Sequence, residues 1–252
     1  TLLRMDPDPE FTMQAKTTIL IYSGGMDSTV LLYYLLEQSH AVRCLSVDYG
    51  QKHKKELHSA ARICKNLNLE HKTIDLSSVA ELLGSSSLIN RDQAVPQGHY
   101  EADTMKATVV PNRNMLLLSL ATAWAVDSKV ATVSYAAHSG DHAIYPDCRE
   151  VFAQGMDSVM QVCDWHSVRL NRPFVEMDKA AICKLGANLS VPFEETWSCY
   201  LGTDLHCGRC GTCIERREAF HLAGLDDPTE YDSKAPTLEK MLETNWKLIE
   251  EN

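Results

Sequence analysis

The chain reads as an α/β protein: a parallel, doubly wound sheet with a smaller cysteine-bearing segment near its C-terminal end. Two observations predict the sheet. Short β-branched, apolar runs alternate with segments of helical length and period, and such alternation pairs strands in parallel through right-handed crossovers. The first run ends abruptly in Ser23-Gly24-Gly25, a strand-to-helix break. A third observation, four cysteines within residues 199–213, predicts the appended segment.

The elements follow in order. Residues 17–22 (TTILIY) form a buried first strand, and residues 28–38 a helix with Val30, Leu31, Tyr34 and Leu35 as its apolar stripe. Residues 42–47 are a second strand, 52–67 a long helix and 72–76 a third strand. Residues 77–105 are polar, with Gly84, Pro96 and Gly98 and no period; a loop of that length is functional or disordered. Residues 114–126 predict a strongly apolar helix at the centre of the core, and 130–135 another buried strand. The strand delivers Ala136-Ala137-His138-Ser139-Gly140-Asp141-His142 to the edge where open α/β sheets hold ligands. Helices are expected at 149–162, 178–189, 214–222 and 238–249.

Composition narrows the function. The net charge is −10, which favours a small-molecule substrate over a nucleic acid gripped by its phosphates. No run of 18 apolar residues offers a membrane span. Residues 1–12 lack the charged start and apolar core of an export signal. They read as a cloning remnant ahead of Met13, and a cytoplasmic location is the default expectation. Of nine cysteines, Cys44, Cys64 and Cys183 lie in apolar-periodic stretches and are expected to be small core residues.

Ser23-Gly24-Gly25-Met26-Asp27-Ser28 is the candidate anion site. Paired glycines let backbone N–H groups approach an anion, Ser23, Ser28 and Thr29 add hydroxyls, and the following helix points its N-terminus at the same place. The plain alternative is a glycine turn with Ser28 as a helix cap. Neither the Gly-Lys-Ser/Thr nucleotide loop nor the Gly-x-Gly-x-x-Gly fingerprint is present.

The loop resembles the signature Ser-Gly-Gly-x-Asp-Ser of the PP-loop ATP pyrophosphatases. That resemblance implies an adenine nucleotide alpha hydrolase-like fold over residues 13–190, with ATP held along Tyr22–Thr29. It implies that the loop holds the pyrophosphate while a substrate oxygen attacks the α-phosphate. By the same resemblance Asp27 helps organise Mg²⁺, Ser23 and Ser28 contact the leaving pyrophosphate, and Val47 with Asp48-Tyr49-Gly50 receives adenine and ribose.

Cys199, Cys207, Cys210 and Cys213, spaced x7, x2 and x2 with glycines between, suit a closed tetrahedral Zn²⁺ site within residues 191–252. An iron–sulfur cluster is the competing reading of Cys-x2-Cys-x2-Cys. His206 is expected at the surface. The two motifs together resemble the QueC family of queuosine biosynthesis. Val109-Val110-Pro111-Asn112-Arg113-Asn114, Tyr145-Pro146-Asp147-Cys148-Arg149 and Arg172-Pro173-Phe174 support the resemblance over residues 16–220. It implies an ATP-dependent carbon–nitrogen ligase that turns 7-carboxy-7-deazaguanine and ammonia into the nitrile through adenylated intermediates, as a homodimer. Arg113 is a candidate for the phosphates or the substrate carboxylate. Asp147 and Arg149 are candidates for the deazaguanine edge, with Asp141, His138 and His142 as neighbours. Three other readings stay open: tRNA thiolation, a repurposed relative acting on a protein or a nucleic-acid base, and a non-catalytic zinc module.

Overall fold

The computed structural model describes residues 16–248; the expectation for residues 1–12 and the end of the last predicted helix lie outside them. Five strands, β1 (Thr17–Ile21), β2 (Ala41–Asp48), β3 (Glu70–Asp75), β4 (Thr132–Ser134) and β5 (Arg169–Asn171), form one sheet in the order β3-β2-β1-β4-β5. Every pair is parallel. The chain winds outward from β1 to β3, then returns to pair β4 on β1's other side. That reversal opens a crevice between the C-terminal ends of β1 and β4.

Alternating residues of the strands feed two separate cores. Leu20, Val42 and Cys44 pack with α1 (Met26–Glu37), α2 (Lys55–Asn66), α5 (Lys179–Asn188) and α6 (Gly211–Ala223). Ile19, Leu45, Val47 and Val133 pack with α3 (Arg113–Asp127) and α4 (Glu150–Met160) on the opposite face. Cys44, Cys64 and Cys183 are buried in the first core, as expected. That core runs from Phe174 and Ile182 through Phe193 to Phe220, so the cysteine segment docks directly on the sheet's helices.

Four features differ from the expectations. α3 is not central: it lies on one face, with Leu118, Ala121 and Ala125 buried and Met115 exposed. Its Trp124 is instead roofed by Arg43 and Lys72, whose charges sit 4.5 and 4.4 Å from the ring. β5 was not anticipated, because three residues are too few to show a period. The final helix α7 (Leu238–Glu243) is shorter than predicted. Residues 77–105 are not structureless. Leu83, Leu88, Ile89 and Val95 pack with the four cysteines, and Gly98 N–H donates to the Arg209 carbonyl at 3.0 Å.

Candidate functional site

The cleft begins at β1. Tyr22 is buried, the chain turns at Gly24 (φ +84°), and α1 starts at once with Gly25 as its N-cap and no side chain capping it. Gly24 is required twice over. A left-handed φ favours glycine, and a side-chain carbon there would lie 2.3 Å from the Glu56 carbonyl oxygen. Ser28 is inside the helix, so the plain capping reading fails; its hydroxyl shares a 3.0 Å hydrogen bond with that of Ser23 and donates to the Gly25 carbonyl at 3.2 Å. Thr29 faces inward, donating to the Gly25 carbonyl at 2.8 Å and sharing a hydrogen bond with the Tyr22 hydroxyl. The loop is thus braced from within, and the serine hydroxyls remain on the cleft wall.

A cleft of about 240 Å³ opens over this loop. Of the residues expected there, Tyr22, Ser23, Gly25, Met26, Asp27, Ser28, Val47, Arg113 and Asp141 line it. Gly24 and Thr29 support the wall from behind. Asp147 and Arg149 lie elsewhere. The Asp147 carboxylate accepts from the Asn114 N–H at 3.0 Å, holding the start of α3, and Arg149 donates to the His142 carbonyl at 2.8 Å. Neither lines the cleft.

The structure adds groups that local patterns did not single out. Lys179, at the first turn of α5, reaches Asp27 at 3.1 Å and Glu215 of α6 at 2.6 Å. Burial opposes the charge on Lys179, but Asp27, Glu215 and Asp141 outweigh it and hold the ammonium protonated. In turn burial pushes the Asp27 carboxyl up, while Lys179 and His138 more than offset this and leave it below the usual range. Asp27 Oδ1 is buried without a hydrogen-bond partner, a free ligand position for a hard cation. His138 is fully enclosed, with Nε2 at 3.4 Å from Asp141 and 3.7 Å from Asp27. Arg113 lies 5.9 Å from the Tyr145 ring centre, and the Tyr145 hydroxyl binds those of Thr108 and Tyr200 at 2.7 and 3.1 Å. An aromatic wall carrying one guanidinium suits a flat, anionic heterocycle. Lys179 and Glu215 lie 152 and 188 residues from Asp27 in sequence and carry no motif. Nothing short-range could have found them.

The four cysteines sit beside the cleft, which shares Trp197, Ser198, Tyr200 and Thr212 with their segment. All are at most 2% exposed, unpaired as disulfides, and their sulfurs gather within 4.8 Å of one another, a set that could hold a metal ion. Backbone N–H groups of Leu201 and Cys207 point at the Cys199 sulfur, and those of Arg209 and Cys210 at Cys207, all at 3.3–3.4 Å. Such donors stabilise thiolate. His206, expected at the surface, is buried; it packs on Trp197 and accepts from the Ser198 N–H at 3.1 Å. Burial, with Arg216 nearby, pushes its ring down to about 4, so it stays neutral.

Known proteins agree with this geometry. The family model of Queuosine biosynthesis protein QueC matches residues 17–224. The chain belongs to the QueC family. It is 50% identical over 214 residues to the 7-cyano-7-deazaguanine synthase of Pseudoalteromonas translucida, covering 85% of this chain and 98% of that relative. The synthase of the same name from Methanoregula boonei is 49% identical over 214 residues, again 85% and 98% of the two chains. Among solved structures, the NMN synthetase of Francisella tularensis superposes with a TM-score of 0.50 at 17% identity, over 90% of this chain and 83% of that one. That likeness concerns the fold alone, the parallel α/β architecture. In this QueC-family chain the loop of residues 23–28 and the four cysteines both lie inside the matched span.

Proposed function

We propose that the protein is a 7-cyano-7-deazaguanine synthase, an ATP-dependent ligase that joins ammonia to 7-carboxy-7-deazaguanine and carries the product on to the nitrile. The observation that carries this reading is the uncapped loop 23–28 at the crevice between β1 and β4, facing Arg113 across a tyrosine-lined cleft. Half-identical relatives bearing that name over nearly their whole length support it.

A carboxylate is a poor electrophile, so it must be given a leaving group. ATP seats its pyrophosphate on the backbone and serines of the loop. Val47 and Tyr49 flank the adenosine end. Arg113 neutralises the substrate carboxylate, whose oxygen attacks the α-phosphorus as pyrophosphate leaves. Ammonia then displaces AMP to give an amide, and a second activation at the amide oxygen leads to the nitrile. Asp27 Oδ1, orphaned and ionised, is fitted to hold Mg²⁺, which when bound draws charge from the phosphates. Lys179 keeps Asp27 in place and adds a fixed positive charge at the loop.

The cysteine set fits Zn²⁺. Four thiolates at a Zn–S distance of about 2.3 Å stand about 3.8 Å apart at the corners of a tetrahedron, and the Cys207 and Cys213 sulfurs are 3.9 Å apart. A multi-iron cluster needs its thiolates wider. The exposed Val151, Val159 and Val162 along α4 and beyond it, with Trp165, support a homodimer. No described helix is long and apolar enough to cross a membrane, and the net charge of −10 supports a cytoplasmic enzyme of small molecules and not of nucleic acid.

The test is direct. Enzyme with ATP, ammonium and 7-carboxy-7-deazaguanine should yield the nitrile together with AMP and pyrophosphate, read by mass spectrometry. AMP release with no nitrile would point to a different acceptor and sink the assignment.

A further inference from the structure

One carboxylate in the cleft is unaccounted for. Asp27 and Glu215 are tied to Lys179, and Asp141 lies against His138. Glu56, which also lines the cleft, has neither a hydrogen bond nor an ion pair among the described residues. The first turn of α2 fixes where it stands. Its carbonyl lies beneath Gly24, and its Oε1 is 3.9 Å from the point a side-chain carbon on Gly25 would occupy. A free carboxylate beside a phosphate loop repels the nucleotide unless it serves another step.

We propose that Glu56 is the catalytic base that takes the proton from ammonia as its nitrogen attacks the adenylated carboxyl carbon. This rests on the synthase reading above. The nitrogen lone pair forms the C–N bond, the C–O bond breaks with its electron pair leaving on AMP, and the surplus N–H proton passes to Glu56 and then to solvent. The product is the primary amide. The nitrile step makes the same demand. The amide nitrogen carries two N–H protons: one passes to solvent as the oxygen is adenylated, leaving C=N–H. Glu56 takes the other, its electron pair enters the C≡N bond, and AMP departs with the C–O pair.

The neighbours of Glu56 leave it alone in this role. It faces Asp27 from α1, Tyr49 after β2, Arg113 from α3, Lys179 from α5 and Cys199 of the cysteine segment. Arg113 and Lys179 stay cationic and accept nothing. Asp27 is held below the usual carboxylate range, which makes it a weak base. Burial pushes Glu56 up to about 7; Arg113 opposes this and Asp27 reinforces it. A carboxyl there both takes and releases protons near neutrality, where general bases work best.

Three proteins separate the possibilities: the full-length enzyme, Glu56→Gln and Glu56→Asp. Carboxylate-dependent ATP–pyrophosphate exchange without ammonia reads adenylation alone. Amide and nitrile formation at constant free-base ammonia reads the later steps. The expected result is that Glu56→Gln keeps exchange while amide formation falls about 10²–10⁴-fold, with Glu56→Asp intermediate. The wild-type rate should rise as pH passes about 7, where Glu56 ionises, and Glu56→Gln should lose that limb. Exchange lost in both variants would place Glu56 on the nucleotide and overturn the proposal. So would amide formation at the wild-type rate in Glu56→Gln. Wild-type enzyme that exchanges pyrophosphate yet makes no amide would refute the synthase reading itself, and this proposal with it.

Discussion

Asp27 carries several demands at once: it stands in the first turn of α1, meets Lys179 and His138, and keeps Oδ1 buried without a hydrogen-bond partner. Asp27→Ala should lower adenylation by at least about 10²-fold, the scale of losing a preorganised charged group. Melting should stay close to wild type, because the side chain is 23% exposed and supports no core contact. Pyrophosphate exchange and a thermal scan read the two halves of that statement. Gly24 is the other sensitive position. Gly24→Ala meets both a left-handed φ and the Glu56 carbonyl, so the loop must move. The strained φ alone costs about 1–3 kcal/mol. Weaker ATP binding by calorimetry and a lower melting point should appear together.

At the scale of elements, the junction between the α/β sheet and the cysteine segment depends on one buried guanidinium. Arg216 of α6 is 0% exposed and donates to the Thr196 hydroxyl at 2.7 Å, the Ser198 hydroxyl at 3.2 Å and the Phe193 carbonyl at 2.9 Å, with Asp227 at 3.4 Å. Removing one partner of such a network strands the others. Arg216→Met should therefore cost about 3–5 kcal/mol, read as a fall in the urea midpoint. An unchanged midpoint would mean that the apolar contacts of α5 and α6 hold this junction without help. Segment 77–105 belongs at the same scale. Its lack of period reflects what it packs on. It covers a compact sulfur cluster with scattered residues such as Leu88 and Val95, and no repeating face is needed for that.

For the whole molecule, the four cysteines and the cleft are one structure. The segment bearing the cysteines supplies Trp197, Ser198, Tyr200, Thr212 and Glu215 to the cleft wall, and residues 83–95 pack against the same cysteines. Cys210→Ser, or chelation, should release about one zinc per chain and lower the melting point, because metal binding energy is folding energy at such a site. ATP affinity should fall in parallel, although none of these four cysteines lines the cleft. Metal analysis, thermal melting and calorimetry check the three parts; full metal loss with unchanged melting would contradict this coupling.

What the sequence by itself determined was local. A strand ending in two glycines, a helix starting at once and four thiols at short spacing each fit within a few residues, so short-range chemistry writes them legibly. The order of the first three strands follows from the same alternation. Tertiary structure alone decided which distant groups meet. Lys179 reaches Asp27 because α5 packs on α1. Glu56 enters the cleft because α2 passes beneath Gly24, and Asp147 is held at the start of α3, outside the cleft lining. Those outcomes depend on how helices settle on a twisted sheet, a matter of packing between segments far apart in the chain, and no pattern within a single segment records it.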